Sequence, residues 1–278
     1  MTIPLYVTKA SGEQVLFDPQ KLRQSLANAG ADEKSIDEIL IEVNRILVPG
    51  ISTKKIYNRA FSLLRKFHRP TAARFKLKRA IMELGPSGFP FEKFVGEVLK
   101  DMGYQVKVGV IEQGRCITHE VDVIAENEEE RIAIECKFGN SSDKKISSRV
   151  SLYINSRFHD LSQAWDKNPK WAEKKHIGWI VTNTAFTKDA LTYGTCAGLR
   201  MISWNHPKVG SLKDLIDECH LYPVTALVSL TKAEKRQIIA KDVVLVRDLF
   251  VKQELLDLLH ISNAKKNRVV KEMEDLLC

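Results

Sequence analysis

"HEVDVIAENEEERIAIECKF", residues 119–138, decides how the chain is read. Both ends look like apolar strand, yet Asp122 sits in one and Glu135 and Lys137 in the other. Side chains of a strand alternate between faces, so Glu135 and Lys137 project one way and Cys136 the other. Ile132 and Ile134 go with Cys136, and Ala133 with Glu135. On the preceding strand Glu120 and Asp122 share a face, with Val121 and Val123 opposite. If the two strands pair, one sheet face gains several carboxylates with an ammonium among them. Charges buried there are costly unless they are paired or bind a metal. Carboxylate oxygens on rigid strands suit Mg2+, a hard ion that keeps several waters and takes one or two carboxylates plus phosphate oxygens. Such an ion acidifies a bound water and offsets charge on a phosphate, and Lys137 can orient that water or stabilise the added charge. These parts suffice for phosphodiester hydrolysis; a salt bridge across two strands is the alternative. The intervening "NEEE" reads as an exposed acidic turn. A looser copy of the spacing, Asp160 or Asp166 followed by Glu173, Lys174 and Lys175, lies in polar sequence and reads as a solvated helix end.

The chain of 278 residues is long enough for two or three modest domains. With 44% hydrophobic and 28% charged residues it reads as globular rather than disordered. No apolar run approaches a membrane span, and the start lacks the basic-then-apolar build of a signal peptide. Five scattered cysteines without a CxxC pair point to a reducing, cytoplasmic setting and exclude a disulfide frame or zinc knuckle. The net charge is +8, and "RKFHRPTAARFKLKR" (65–79) carries seven Lys or Arg and no acid. A polyanionic partner follows from that excess, with a solvated basic helix face as the plain alternative.

Turn and cap signals divide the chain. "LYVTKASGEQVLF" reads as a hairpin turning at Ser11-Gly12. Four segments with helical spacing follow, with Asp32, Ser52 and Thr71 at N-cap positions and Gly30 after the first. "GPSGFP" (85–90) looks like a connection. Beyond it, "FEKFVGEVLKDMG" reads as a helix and "YQVKVGVIEQ", "THEVDVIAE" and "RIAIECKF" as three strands. A polar and aromatic helix (about 144–173), the strand "HIGWIVTN", the helix "TKDALTYGTCAG" and the strand "RMISW" complete an αβββαβαβ order. That order predicts one mixed sheet with helices packed on it, within a multi-domain α/β (α+β) chain. The expected domains are 1–86, 87–222 and 223–278, the last a small helical module.

Residues 87–222 resemble a restriction-endonuclease-type domain of the PD-(D/E)xK superfamily, in its Mrr-like branch. The resemblance rests on "GFPFEKFVGEVLKDMGYQV", "HEVDVIA", "IECK" and "GWIVTNTAFTKDALTYGTCAGLRMISW". It implies DNA cleavage dependent on Mg2+ or Mn2+, with Asp122 and Glu135 as metal ligands, Glu120 beside them, and Lys137 as the catalytic lysine. It also implies an acid on the first helix, at Glu97, and a helix glutamine, at Gln163. Where the family has a glycine-rich lead to the aspartate, this chain has "GRCITHE".

Residues 3–84 resemble an ATP-cone, through "VTKASGEQVLFDPQKL", "ISTKKIYNRAFSLL" and "AARFKLKRAI". The resemblance implies ATP or dATP bound by Lys9 and Lys21, with Val7 as apolar contact and Thr53 at a helix start. Two lysines near a turn and a helix start suit a triphosphate. Ala10 stands where the family has an arginine. The last segment is similar to helix-hairpin-helix DNA binders, with Lys265, Lys266 and Arg268 placed for phosphates; a packing or dimer helix pair is the alternative. The expectation is a metal-dependent DNA endonuclease with a nucleotide-responsive front domain, plausible as a homodimer and not membrane-bound. Its rival is a non-catalytic nucleotide-sensing DNA-binding regulator.

Overall fold

The computed structural model describes residues 5–9, 11–141 and 144–277; Ala10 lies outside them. Strands β1 (Tyr6–Thr8) and β2 (Gln14–Leu16) form the expected hairpin, with Val7 opposite Val15. Five helices follow: α1 (Pro19–Asn28), α2 (Glu33–Asn44), α3 (Thr53–Phe67), α4 (Arg69–Phe75) and α5 (Leu77–Met82). Their apolar stripes close a core around Leu26, Ile36, Ile39, Val43, Ile56 and Leu64, with Val7 inserted from the hairpin. Asp32 and Ser52 cap α2 and α3 by accepting the Ser35 and Lys55 N–H groups. The third cap is His68 and not Thr71: its Nδ1 accepts the Thr71 N–H at 3.3 Å. Pro70 explains the earlier start, because a ring without an N–H fits the first turn, where that donor would be orphaned. The expected helix over 71–84 also breaks, at Lys76, into α4 and α5.

The middle of the chain follows the alternation of its sequence. Helix α6 (Phe89–Asp101) precedes β3 (Gln105–Gln113), β4 (Thr118–Glu126) and β5 (Glu130–Lys137). Then come β6 (Lys145–Ile146), α7 (Ser148–Trp165), β7 (Lys175–Thr182), β8 (Ala185–Phe186), α8 (Lys188–Cys196) and β9 (Arg200–Ile202). The sheet order is β3-β4-β5-β7-β9, antiparallel through β5 and parallel from β5 to β9. The parallel half needs crossovers, and α7 and α8 supply them. The two-residue strands β6 and β8 pair in parallel beside α7 and were not legible as strands. One sheet face packs on α6 through Phe91, Phe94, Val98, Ile132 and Ile134. The other packs on α7, where Leu161 and Trp165 meet Ile124 and Ala133.

The remaining chain is helical, as expected: α9 (Leu212–Glu218), α10 (Lys232–Ile239), α11 (Val246–Val251) and α12 (Asn263–Leu277), with 3-10 turns at Val224–Ala226 and Gln253–Leu259. Its core is continuous with that of the sheet, so Leu245, Leu249, Met273 and Leu276 belong to the same cluster as Phe94 and Val98. Buried Glu272 locks α12 by accepting the Val228 and Ser229 N–H groups, at 2.5 and 2.9 Å. Lys265 and Lys266 are held within this module by Glu234 (2.7 Å) and Asp257 (2.6 Å). No described helix is long and apolar enough to cross a membrane.

Candidate active site

Two local irregularities open the sheet where the charges lie. The β3–β4 pairing runs Val108 with Val123 and then Val110 with Val121, skipping Gly109 and Asp122. Gly109 has φ +63°, a conformation that residues with a Cβ rarely hold. The break changes the alternation. Val121 packs with Ile124, Ala133 and Leu161 on the α7 side, while Val123 packs on the α6 side. The expectation that Val121 and Val123 share a face is thereby corrected; a strand interrupted at Asp122 does not keep period two across the break. The β4–β5 ladder, in turn, ends at Val123 with Ile134. Past that point the Cys136 N–H donates to Asp122 Oδ2 at 2.7 Å. Asp122 is thus pinned by backbone, with its carboxylate at the wedge between two diverging strands.

Glu135 and Lys137 occupy the end of β5 beside that wedge. Glu135 is buried, and both its oxygens meet cations: Oε1 accepts from Lys137 Nζ and Oε2 from Arg157 Nη1 at 2.8 Å. Arg157, on α7, also donates to the Glu120 carbonyl and so ties helix to strand. Glu120 itself is exposed. Burial, then the Glu135 charge, raises Asp122 to about 6. Burial, then Asp122, Glu120 and Glu135, raises Glu92 on α6 to about 7. Four acids therefore share one field, and two hold their protons well above the usual carboxylate range. Gly96 lets α6 approach closely enough for this: a Cβ there would lie 2.9 Å from Val108 Cγ2.

Glu92, not singled out by sequence reasoning, is the α6 acid that lies in the field of Asp122, Glu120 and Glu135. Glu97, the residue expected there, points elsewhere: its oxygens pair with Lys100 (2.6 Å) and Arg247 (3.3 Å). Five residues on a helix turn about 140°, so the two acids flank the buried stripe on opposite sides. Gln163 is exposed and accepts from Arg115 Nη1 at 2.7 Å, without contact to the acids named above. Asp160 and Asp166 are structural acceptors, for His119 Nε2 (2.8 Å) and His176 Nδ1 (2.9 Å).

The expected nucleotide residues lie on adjoining elements: the Thr8 N–H donates to the Ile51 carbonyl at 2.9 Å and Thr8 bridges Ser52, which sets the hairpin of Val7 and Lys9 beside Thr53 at the start of α3. Val7 is buried in the core, and Lys9 pairs with Glu13 at 2.9 Å. Lys21 reaches solvent beside Asp18 at 3.9 Å. Thr53 instead lines a cavity of about 390 Å³ with Ser25, Tyr57, Arg74, Lys78 and Trp204. Trp204 comes from the sheet domain, so that cavity lies between the front helices and the sheet.

Comparison with known families resolves the architecture. The ATP cone domain matches residues 5–80, and the restriction endonuclease family matches residues 85–208. The chain is an ATP cone fused to an Mrr-type restriction-endonuclease domain. A third family, described as AF1548-like, C-terminal, matches residues 222–277. An uncharacterized protein of Archaeoglobus fulgidus is 29% identical over 184 residues, covering 66% of this chain and 99% of its own. The crystal structure of a protein of unknown function, AF1548, aligns with TM-score 0.55 and 28% identity, over 69% of this chain and 98% of that one. The structure of VC1899 from Vibrio cholerae is more remote, at TM-score 0.30 and 15% identity, over 72% of this chain and 55% of that one. Among the described residues no group of three His, Cys, Asp or Glu side chains is placed to hold a metal ion. The donor chemistry nonetheless fits a hard divalent cation: oxygen donors, fixed strands, and acids whose mutual repulsion an added cation relieves.

Proposed function

We propose that the endonuclease domain hydrolyses phosphodiester bonds in DNA with a divalent metal, Mg2+ or Mn2+, under the control of ATP or dATP in the cone. What carries this reading is the convergence of Glu92, Asp122 and Glu135, with Lys137 and Arg157, at the wedge where β4 leaves β5. Asp122 and Glu135 would hold the ion, with Glu92 and Glu120 close enough to share its field. When bound, it supplies a water of lowered pKa and neutralises phosphate charge. The chain's own groups do the rest. Arg157 fixes the Glu135 carboxylate by a charge-assisted bond, so the ligand does not need to be ordered on each turnover. The Cys136 N–H fixes Asp122 in the same way. Lys137 is partly exposed, and its ammonium can swing from Glu135 to a phosphate oxygen as negative charge grows there. Net charge of +8 draws the DNA polyanion towards this acidic wedge despite its local sign.

Incubation of purified protein with supercoiled plasmid and Mg2+, with and without ATP, tests the reading. Nicking that needs the metal and disappears in Glu135→Ala is the expected result; a folded Glu135→Ala protein that cuts as well as wild type would sink it. A second reading is favoured by one observation: both Glu135 oxygens are already satisfied by Lys137 and Arg157, as in a structural ion pair. Divalent-metal titration separates the two, because only the catalytic reading requires binding that is lost in Asp122→Asn.

A further inference from the structure

Cations are packed with unusual density where the cone meets the C-terminal helices. Lys76, at the α4–α5 break, and Lys235, on α10, donate to the same acceptor, the Thr225 carbonyl, at 3.1 and 2.9 Å. Both are buried, at 9% and 5% exposure. The carboxylate beside them is Glu83, 2.8 Å from Lys76 Nζ and shared with Arg79 at 3.2 Å. Glu272 also acts on Lys235, but its oxygens are taken by the Val228 and Ser229 N–H groups. Lys76, Lys235 and Arg79 therefore crowd around two carboxylates whose oxygens are already engaged, and the two buried ammoniums share one carbonyl, so the cations are short of acceptor oxygens. Burial, then Lys76, accordingly lowers Lys235 to about 7.

The same groups line a cavity of about 270 Å³. Arg65 and Lys232 stand exposed at its margin, and Tyr57 contributes a hydroxyl that is buried and has no hydrogen-bond partner. A buried polar group left unpaired is a standing penalty. One anion with several oxygens meets both needs at once: it supplies acceptors to the crowded cations and to Tyr57 Oη. The volume suits a small anion and excludes a folded partner or a duplex from its floor. Cations in a fixed cleft, with a neutral donor between them, are the chemistry that recognises phosphate oxygens.

We propose that this seam is a phosphate-anion site, taking a di- or triphosphate and tying α3 and α5 of the cone to α10. It is separate from Lys9 and Lys21, neither of which lines the cavity. Its ligand is either free polyphosphate or the phosphate tail of a nucleotide, and binding there stiffens the contact between cone and C-terminal module.

Titration calorimetry on the full chain, with pyrophosphate as probe and ATP as the second arm, tests the proposal. Saturable pyrophosphate binding is expected, and it persists within about twofold in Lys9→Ala/Lys21→Ala because those side chains lie elsewhere. Arg65→Gln/Lys232→Gln changes exposed residues only, so the fold survives, and it weakens binding about tenfold or more. Lys235→Met abolishes it; if that variant does not fold, the margin variant decides alone. ATP binding that shows the same dependence assigns the source to a nucleotide tail, and ATP binding indifferent to the margin assigns it to free polyphosphate. The proposal is overturned by no saturable binding at millimolar pyrophosphate, by equal affinity in wild type and margin variant, or by loss of binding in Lys9→Ala/Lys21→Ala. Displacement of pyrophosphate by a short DNA duplex would also overturn it, by reassigning the cations to DNA backbone.

Discussion

Asp122→Asn is expected to stabilise the metal-free protein while it abolishes cleavage. The carboxylate is shifted from 3.8 to about 6, by burial and then by Glu135. Its folded-state pKa lies above its unfolded one, so the native state holds the extra proton between those values. Stability therefore falls as pH rises through that window, and the full penalty is present above it. About two pKa units correspond to about 3 kcal/mol at most. Asp122 is only part-buried, and screening by solvent reduces this to about 1–2 kcal/mol. An asparagine removes the charge yet can still accept the Cys136 N–H through its own carbonyl oxygen, so the anchor at the wedge survives. The melting temperature in EDTA should then rise by about 2–6 °C at about pH 7.5, for a chain of this size. At about pH 4 the difference should shrink towards zero, because the wild-type carboxyl is then protonated as well. Circular dichroism melts at the two pH values measure this, and plasmid nicking in Mg2+ measures the loss of activity. A variant that melts lower than wild type at neutral pH would refute the reasoning, because the charge would then be a stabilising member of an ion-pair network.

Glu92→Gln should remove metal-dependent nicking, whereas Glu97→Gln should leave it intact and only loosen the contact to Arg247; the plasmid assay on both variants distinguishes the two helix acids. Arg157→Met leaves buried Glu135 without one of its two cations and should cost about 3–5 kcal/mol in urea unfolding, the range for a broken buried pair. Lys235, held at about 7 against 10.5 when unfolded, binds fewer protons in the native state. Stability should therefore rise with pH between those values by up to about 1.4 kcal/mol per unit, a slope that urea melts should find flattened in Lys235→Met.

What the sequence showed, and what it hid, follows from the range of the forces involved. Strand alternation is a local property, and it was enough to set Glu135 and Lys137 on one face of β5; Asp122 reaches them through a break in β4 that alternation does not foresee. Caps are local too, and Asp32 and Ser52 were readable for that reason; His68 was not, because an imidazole accepting a backbone N–H has no strong sequence signature beside the competing Thr71. Glu92 and Glu97 could not be ranked, since both border the same apolar stripe and only the placement of β4 decides which border faces the acids. The one available hint was position: Glu92 is in the first turn of α6, and Glu97 is not. Arg157 was missed in a helix rich in polar residues because nothing local distinguishes a guanidinium that will meet a buried carboxylate from one that will meet water.

The basic run over 65–79 shows the same limit from the other side. In sequence it is one block of charge and suggests one polyanion. In the fold its members separate: Arg74 stacks over Tyr222, Arg65 and Arg79 line the seam, and Lys76 turns inward to a carbonyl supplied by the far end of the chain. Helices α4 and α5 are too short, and their break too sharp, to present one basic face. A charge run is a projection of several surfaces onto a line, and only the break at Lys76 turns one of them into a cavity floor. The site that results depends on Thr225 and Lys235, residues of a module whose own sequence looks like simple packing. Such a site becomes visible only when the cone and the C-terminal helices are in contact, because each contributes cations that alone would be ordinary solvated lysines.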